Sequence, residues 1–168
     1  MHSHKLIAAL ALATGLAAPA ALVATPALAA TSTTLSSTMA STCRVELYDI
    51  DNLDVDERDG KDELRFLVGG NLFPRPGYFA MRNGDDGDPA DFGNPSTAVS
   101  STGSVSFNLR EVTPPIVGSG DSLGSITVSG SSVCAPLTTG GVDYVQDVID
   151  GTDETFYSYL VELKVTGL

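Results

Sequence analysis

Histidine is confined to positions 2 and 4, tryptophan is absent, and cysteine occurs twice. Beyond His4, then, no Ser-His-Asp or Cys-His nucleophile can be assembled. The usual nitrogen ligands for zinc, copper and iron are missing as well. Basic side chains are scarce: nine Lys and Arg stand against 21 Asp and Glu, a net charge of −12. Such a balance argues against nucleic acid or bare anionic lipid as partners, since both demand clustered Lys and Arg. Helical periodicity is missing too; no segment of ten or more residues carries a convincing apolar stripe at helical spacing.

The one long apolar run is N-terminal. Met1 to Lys5 forms a short basic-tipped region, Leu6 to Val23 is dominated by Ala and Leu, and Ala27-Leu28-Ala29 is a small-x-small cleavage signal. Gly15 and Pro19 interrupt the run and no stop-transfer charges follow, so a secretory signal peptide over 1–30 is expected rather than a membrane anchor. Cys43 lies too far downstream to be a lipidated first residue. The segment Lys164-Val165-Thr166-Gly167-Leu168 carries no anchor signal. The expected mature protein is secreted and extracellular, with no integral membrane segment. It keeps 138 of the 168 residues, eight basic and 21 acidic side chains and a charge of −13. That length suits one domain with one core. Residues 31–42, rich in Ser and Thr, are expected to be a flexible leader, a spacer from the cell wall, with the folded domain over 43–168.

In an oxidising compartment, Cys43 and Cys134 are expected to pair. Chain entropy assigns a bridge of that span roughly 4–5 kcal/mol. Short apolar segments alternate with Gly-rich turns. Over Thr155–Val165, the residues Tyr157, Tyr159, Val161, Leu163 and Val165 share one face, while Ser158, Glu162 and Lys164 share the other. That period of two predicts a half-buried strand. Further strands are predicted over 43–50, 63–68, 77–81, 104–112 and 123–129. Residues 142–148 fit either a strand or one helical turn. The fold class is therefore all-β, an antiparallel sandwich or barrel, of which a single-domain β-sandwich is the expectation.

Eight of the fifteen residues from Asp49 to Glu63 are acidic, opposed only by Arg58 and Lys61. So dense a loop between strands repels itself, and a divalent cation relieves the repulsion. Calcium is the cofactor this points to; a plain solvated acidic loop is the competing reading. EF-hand spacing is excluded. Counting from Asp54, position five is Arg58, position six is Asp59 instead of Gly, and no Glu falls at twelve. Asp85, Asp86, Asp88 and Asp91 read as turn vocabulary. An Asp-Gly-x-Asp-Glu phrase occurs at 59–63 and again at 150–154, as a weak repeat or as one turn chemistry used twice.

The stretch Asn52-Leu53-Asp54-Val55-Asp56 through Asp62-Glu63-Leu64 resembles the first calcium loop of C-two domains, the calcium- and lipid-binding β-sandwiches first described in protein kinase C. Val105–Val112 and then Asp121-Ser122-Leu123-Gly124 are similar to that family's third loop and its exit strand. The resemblance implies a C-two-like sandwich, an immunoglobulin-like one being the alternative, with calcium ligands among Asp54, Asp56, Asp62, Glu111 and Asp121. Glu111-Val112-Thr113 stands where the family has Asp-x-Asp, and no Lys-rich lipid-facing strand is present. Small secreted actinobacterial proteins with Asp-rich, Gly-Asp-Glu-strand patterns look similar as well.

Without Trp, and at this size, paired-carboxylate glycosidase chemistry has no evident cleft, so the chain is not expected to be an enzyme. The leading expectation is a secreted binding or surface module with calcium-stabilised acidic apical loops and an extracellular protein or cell-surface partner. A second is a protease inhibitor or partner-binding protein using an exposed loop, either Phe73-Pro74-Arg75-Pro76, with Arg75 in a proline-stiffened setting, or Val112 to Gly120. A third is an acidic envelope protein with no specific ligand.

Overall fold

A computed structural model of the chain describes residues 38–115 and 118–168. The signal peptide expected over 1–30 lies outside the described residues. Ten strands follow in order: β1 (Thr42–Asp54), β2 (Lys61–Val68), β3 (Asn71–Phe73), β4 (Phe79–Arg82), β5 (Asp86–Gly87), β6 (Ser96–Ser100), β7 (Ser104–Glu111), β8 (Asp121–Ser129), β9 (Val142–Thr152) and β10 (Phe156–Gly167). A single π turn, Gly130–Cys134, follows β8.

The strands form two antiparallel sheets. The first has the order β5-β1-β10-β9, with β6 also pairing with β1; the second has β3-β2-β7-β8, with β4 also on β2. Alternation explains the sandwich. On β10, Tyr157, Tyr159, Val161, Leu163 and Val165 are all buried, and on β2 and β7 so are Leu64, Phe66, Phe107 and Leu109. These faces meet in one core with Val45, Leu47 and Ile50 from β1. Phe66 packs edge-to-face on Phe92, centroids 5.1 Å apart, and Phe107 lies 6.3 Å away. Segment 142–148 is strand, part of the β9–β10 hairpin.

Cys43 and Cys134 are bonded, their Cα atoms 5.7 Å apart, so β1 is tied to the π turn. Order also begins earlier than residue 43. Met39 bridges Thr138, the Ala40 amide donates to the Leu137 carbonyl, and Ala40 is buried. Residues 39–42 are therefore not leader, because their backbone is paired and Ala40 joins the core; positions 31–37 lie outside the described residues.

Candidate functional site: a buried acidic pole

The loop between β1 and β2 closes on itself through Asp62. Its carboxylate accepts from the Asp56 amide at 2.8 Å and the Glu57 amide at 2.9 Å, and also from the Tyr159 hydroxyl. Alternation on β2 turns Asp62 inward beside Leu64 and Phe66, which is why it is fully buried. The hairpin turn between β9 and β10 grips the same loop. Asp56 Oδ1 accepts from the Asp153 and Thr155 amides at 3.3 and 3.1 Å, and the Thr155 hydroxyl donates to the Val55 and Asp56 carbonyls. The β9–β10 turn, through Asp153 of the second Asp-Gly-x-Asp-Glu phrase and the adjoining Thr155, thus holds the loop segment that leads into the first.

Asp56 is 0% exposed, and its other oxygen, Oδ2, has no hydrogen-bond partner. A buried unpaired carboxylate oxygen is costly. Around it stand further acids. Glu111, at the inner-facing end of β7, is buried, which pushes its carboxyl up to about 9. A hydrogen bond with Glu57 and the charges of Glu57, Asp62 and Asp56 push the same way. Burial, then the bond to Asp62, drives the Tyr159 hydroxyl far above its usual range. Asn52, the cross-strand partner of Tyr159, is also buried, with both amide atoms unpartnered. This end of the interior therefore holds unmet polar valences of both kinds.

Of the residues expected to ligate a metal, Asp56, Asp62 and Glu111 converge here. Asp121 sits opposite Glu111 in the β7–β8 register, and the two line an open groove of about 570 Å³. Gly120 makes that approach feasible: its φ is +68°, and a Cβ there would run into the Glu111 carbonyl. Asp121 is exposed, and Asp54 is half-buried at the end of β1. Among the described residues neither makes a hydrogen bond into the pole. Glu57, Asn52, Tyr159 and the Asp153 and Thr155 amides belong to the arrangement and were not expected. Asn52 and Tyr159 share the buried face of two strands, a placement that only the β1–β10 register reveals.

The closest-set carboxylates lie elsewhere. Asp49, Asp51 and Asp86 can bring one oxygen each within 4.8 Å of one another. Asp86 reaches them because β5 pairs Asp51 with Asp86 and Ile50 with Gly87. At Gly87 a Cβ would crowd Ile50 and Phe92 at 3.1 and 3.2 Å, so a larger residue would oblige these side chains to give by a few tenths of an ångström. Partial burial, then a hydrogen bond with Asp86 and the charges of Asp86 and Asp51, raise the Asp49 carboxyl to about 6. Arg75 is exposed on the segment after β3, and its carbonyl accepts from Arg65.

The fold and the pole define an all-β, disulfide-tied sandwich with a carboxylate-rich end. No protein-family model matches the chain, and no curated protein matches it either. Among solved structures it is similar to the first (A) C-two domain of a plant extended synaptotagmin 1. That match has a TM-score of 0.47 and 8% identity, covering 77% of this chain and 97% of that one. It is also similar to the paired A and B C-two domains of extended synaptotagmin 2. There the TM-score is 0.47 and the identity 12%, over 92% of this chain and 48% of that one. Both are C-two proteins by name.

Proposed function

We propose that the chain is an exported, non-enzymatic binding module whose acidic pole takes a calcium ion. One observation carries this reading: Asp56 Oδ2 is buried and without a partner, with the Glu57–Glu111 pair beside it. The donor set is all oxygen, which suits a hard cation and not a soft one. Asp56, Glu57 and Glu111 would hold the ion. Asp62 orients the loop, because its oxygens already serve two amides and a hydroxyl. A bound cation would offset the mutual repulsion of these groups and fix the β1–β2 loop against the β9–β10 turn.

Extracellular modules bind calcium at about 0.1–1 mM. At about 1 mM calcium and a dissociation constant near 0.1 mM, ligation adds roughly 1.4 kcal/mol. For a domain of this size that is a rise of about 5 °C in melting temperature. The melt is to be followed in calcium and in EDTA; superimposable curves would refute the reading. The rival reading, a protease inhibitor or partner-binding protein that uses the exposed Arg75 loop, is tested by a pull-down against secreted proteases with Arg75→Ala as control; loss of capture in that variant would favour it.

A further inference from the structure

The outer face of the second sheet is the basic side of an acidic chain. Alternation places Lys61 and Arg65 of β2, Arg82 of β4 and Arg110 of β7 there. Lys61 lies opposite Arg82, and Arg65 opposite Arg110. These are four of the nine Lys and Arg in the whole chain. Like charges directly across a ladder repel. The strands give this face a single acid, Glu63, and it is engaged by Lys61.

Arg65 stands out because it is only 4% exposed. Its NH1 group donates to the Gly118 carbonyl at 2.7 Å, and NH2 donates to those of Pro74 and Arg75 at 2.8 and 3.2 Å. Its Nε–H has no partner. Burial lowers its pKa, yet a guanidinium remains charged at any working pH. Among the described residues no carboxylate lies within ion-pair distance of Arg65, Arg75 or Arg110. Carbonyl dipoles alone leave a buried cation without counter-charge, an expensive arrangement. Arg65 and Arg75 together line an open cavity of about 590 Å³, with Asn71 and Ser119 beside them and no acid in its wall.

We infer that this cavity is a binding site for a small tetrahedral oxyanion, a phosphate or sulfate group, held between the guanidinium groups of Arg65 and Arg75. Guanidinium donors match the oxygens of such a group. Two of them on one cavity can share its oxygens, and the anion supplies the charge that Arg65 lacks. A small ligand is favoured over an anionic bilayer because the field is local. At physiological salt the acidic remainder is screened beyond about 8 Å, whereas a membrane would face the whole negative chain.

The test uses the purified, oxidised protein in calcium-free buffer, which separates it from the metal reading. Sodium phosphate and sodium sulfate are titrated against sodium chloride at matched ionic strength, following the Arg65 Nε–H resonance and the heat of binding. Saturable binding that shifts this resonance, with affinity falling about tenfold in Arg75→Ala, is expected for the loss of one charge-assisted contact. Arg75 is exposed, so that variant tests the site without threatening the fold, and Arg65→Lys checks the buried partner. A response to phosphate no different from chloride would overturn the inference, as would equal affinity in wild type and Arg75→Ala. So would Arg75-dependent pelleting with phosphatidylserine vesicles when inorganic phosphate does not bind, since the face would then be a lipid surface.

Discussion

Two carboxylate clusters can be set side by side. Asp49, Asp51 and Asp86 lie close together on the outward side of β1 and β5, half-buried or exposed. Asp56, Asp62 and Glu111 are less tightly gathered but buried; Asp56 and Asp62 accept from backbone amides, and Asp56 Oδ2 is left over. Proximity alone creates little need for a ligand, because water screens an open cluster and a shared proton quiets it. Burial creates that need. At the pole solvent cannot serve Asp56 Oδ2, so protein or ion must.

Alanine at Asp56 and at Asp51 should separate the two clusters most widely. Asp56→Ala strands the Thr155 amide and leaves the Asp153 amide only its bond to the Thr155 carbonyl, and denaturant unfolding should report a loss of about 2 kcal/mol. Asp51→Ala should stay within about 0.5 kcal/mol of wild type. Equal effects would erase the distinction.

Tyr159→Phe keeps the ring in the core and removes the donor to Asp62. A hydrogen bond to a charged group is worth about 1.5–3 kcal/mol, so a loss near 2 kcal/mol is expected in the same assay. A neutral substitution would mean that Asp62 is held by its amide donors alone.

The pH dependence sharpens the comparison further. In the folded chain Glu111 keeps its proton to about pH 9, against an ordinary value of 4.5. Between these limits the folded state holds a proton that the unfolded state has released. This contribution is therefore full below about pH 4.5 and fades as pH rises towards 9. Asp49 behaves likewise over a narrower window, from 3.8 to about 6. In calcium-free buffer, stability should decline from about pH 6 to 9, and Glu111→Gln should flatten that decline. A slope unchanged by the substitution would remove Glu111 from the pole's electrostatics. The smallest effect is expected from Asp86→Asn, a gain of at most about 0.5 kcal/mol at neutral pH from relieved repulsion on a solvated face. A clear loss there would show that the outer cluster is structural.

How far these features could be read from residues alone depends on whether they are local. β10 was legible because five apolar side chains recur at period two and all of them are buried. β9 was ambiguous because it is an edge strand. Its inward positions include Asp143 and Asp147, exposed residues whose carboxylates accept from the next amide, so its alternation is broken. β3 and β5, three and two residues long, are too short to show a period. At the pole, Asp56 and Asp62 stood out within one acidic loop. The donors to Asp56 from the β9–β10 turn come from 97 and 99 positions away and are backbone groups, to which composition is blind. The outer cluster needed the pairing of Asp51 with Asp86, a fact of register.

Calcium calorimetry on the oxidised wild type, Asp56→Asn and Asp86→Asn addresses the buried pole most directly. Saturable binding in wild type and Asp86→Asn, abolished in Asp56→Asn, is the expected result. Binding that survives in Asp56→Asn and disappears in Asp86→Asn would place the ion on the outer cluster and contradict the pole as the metal site.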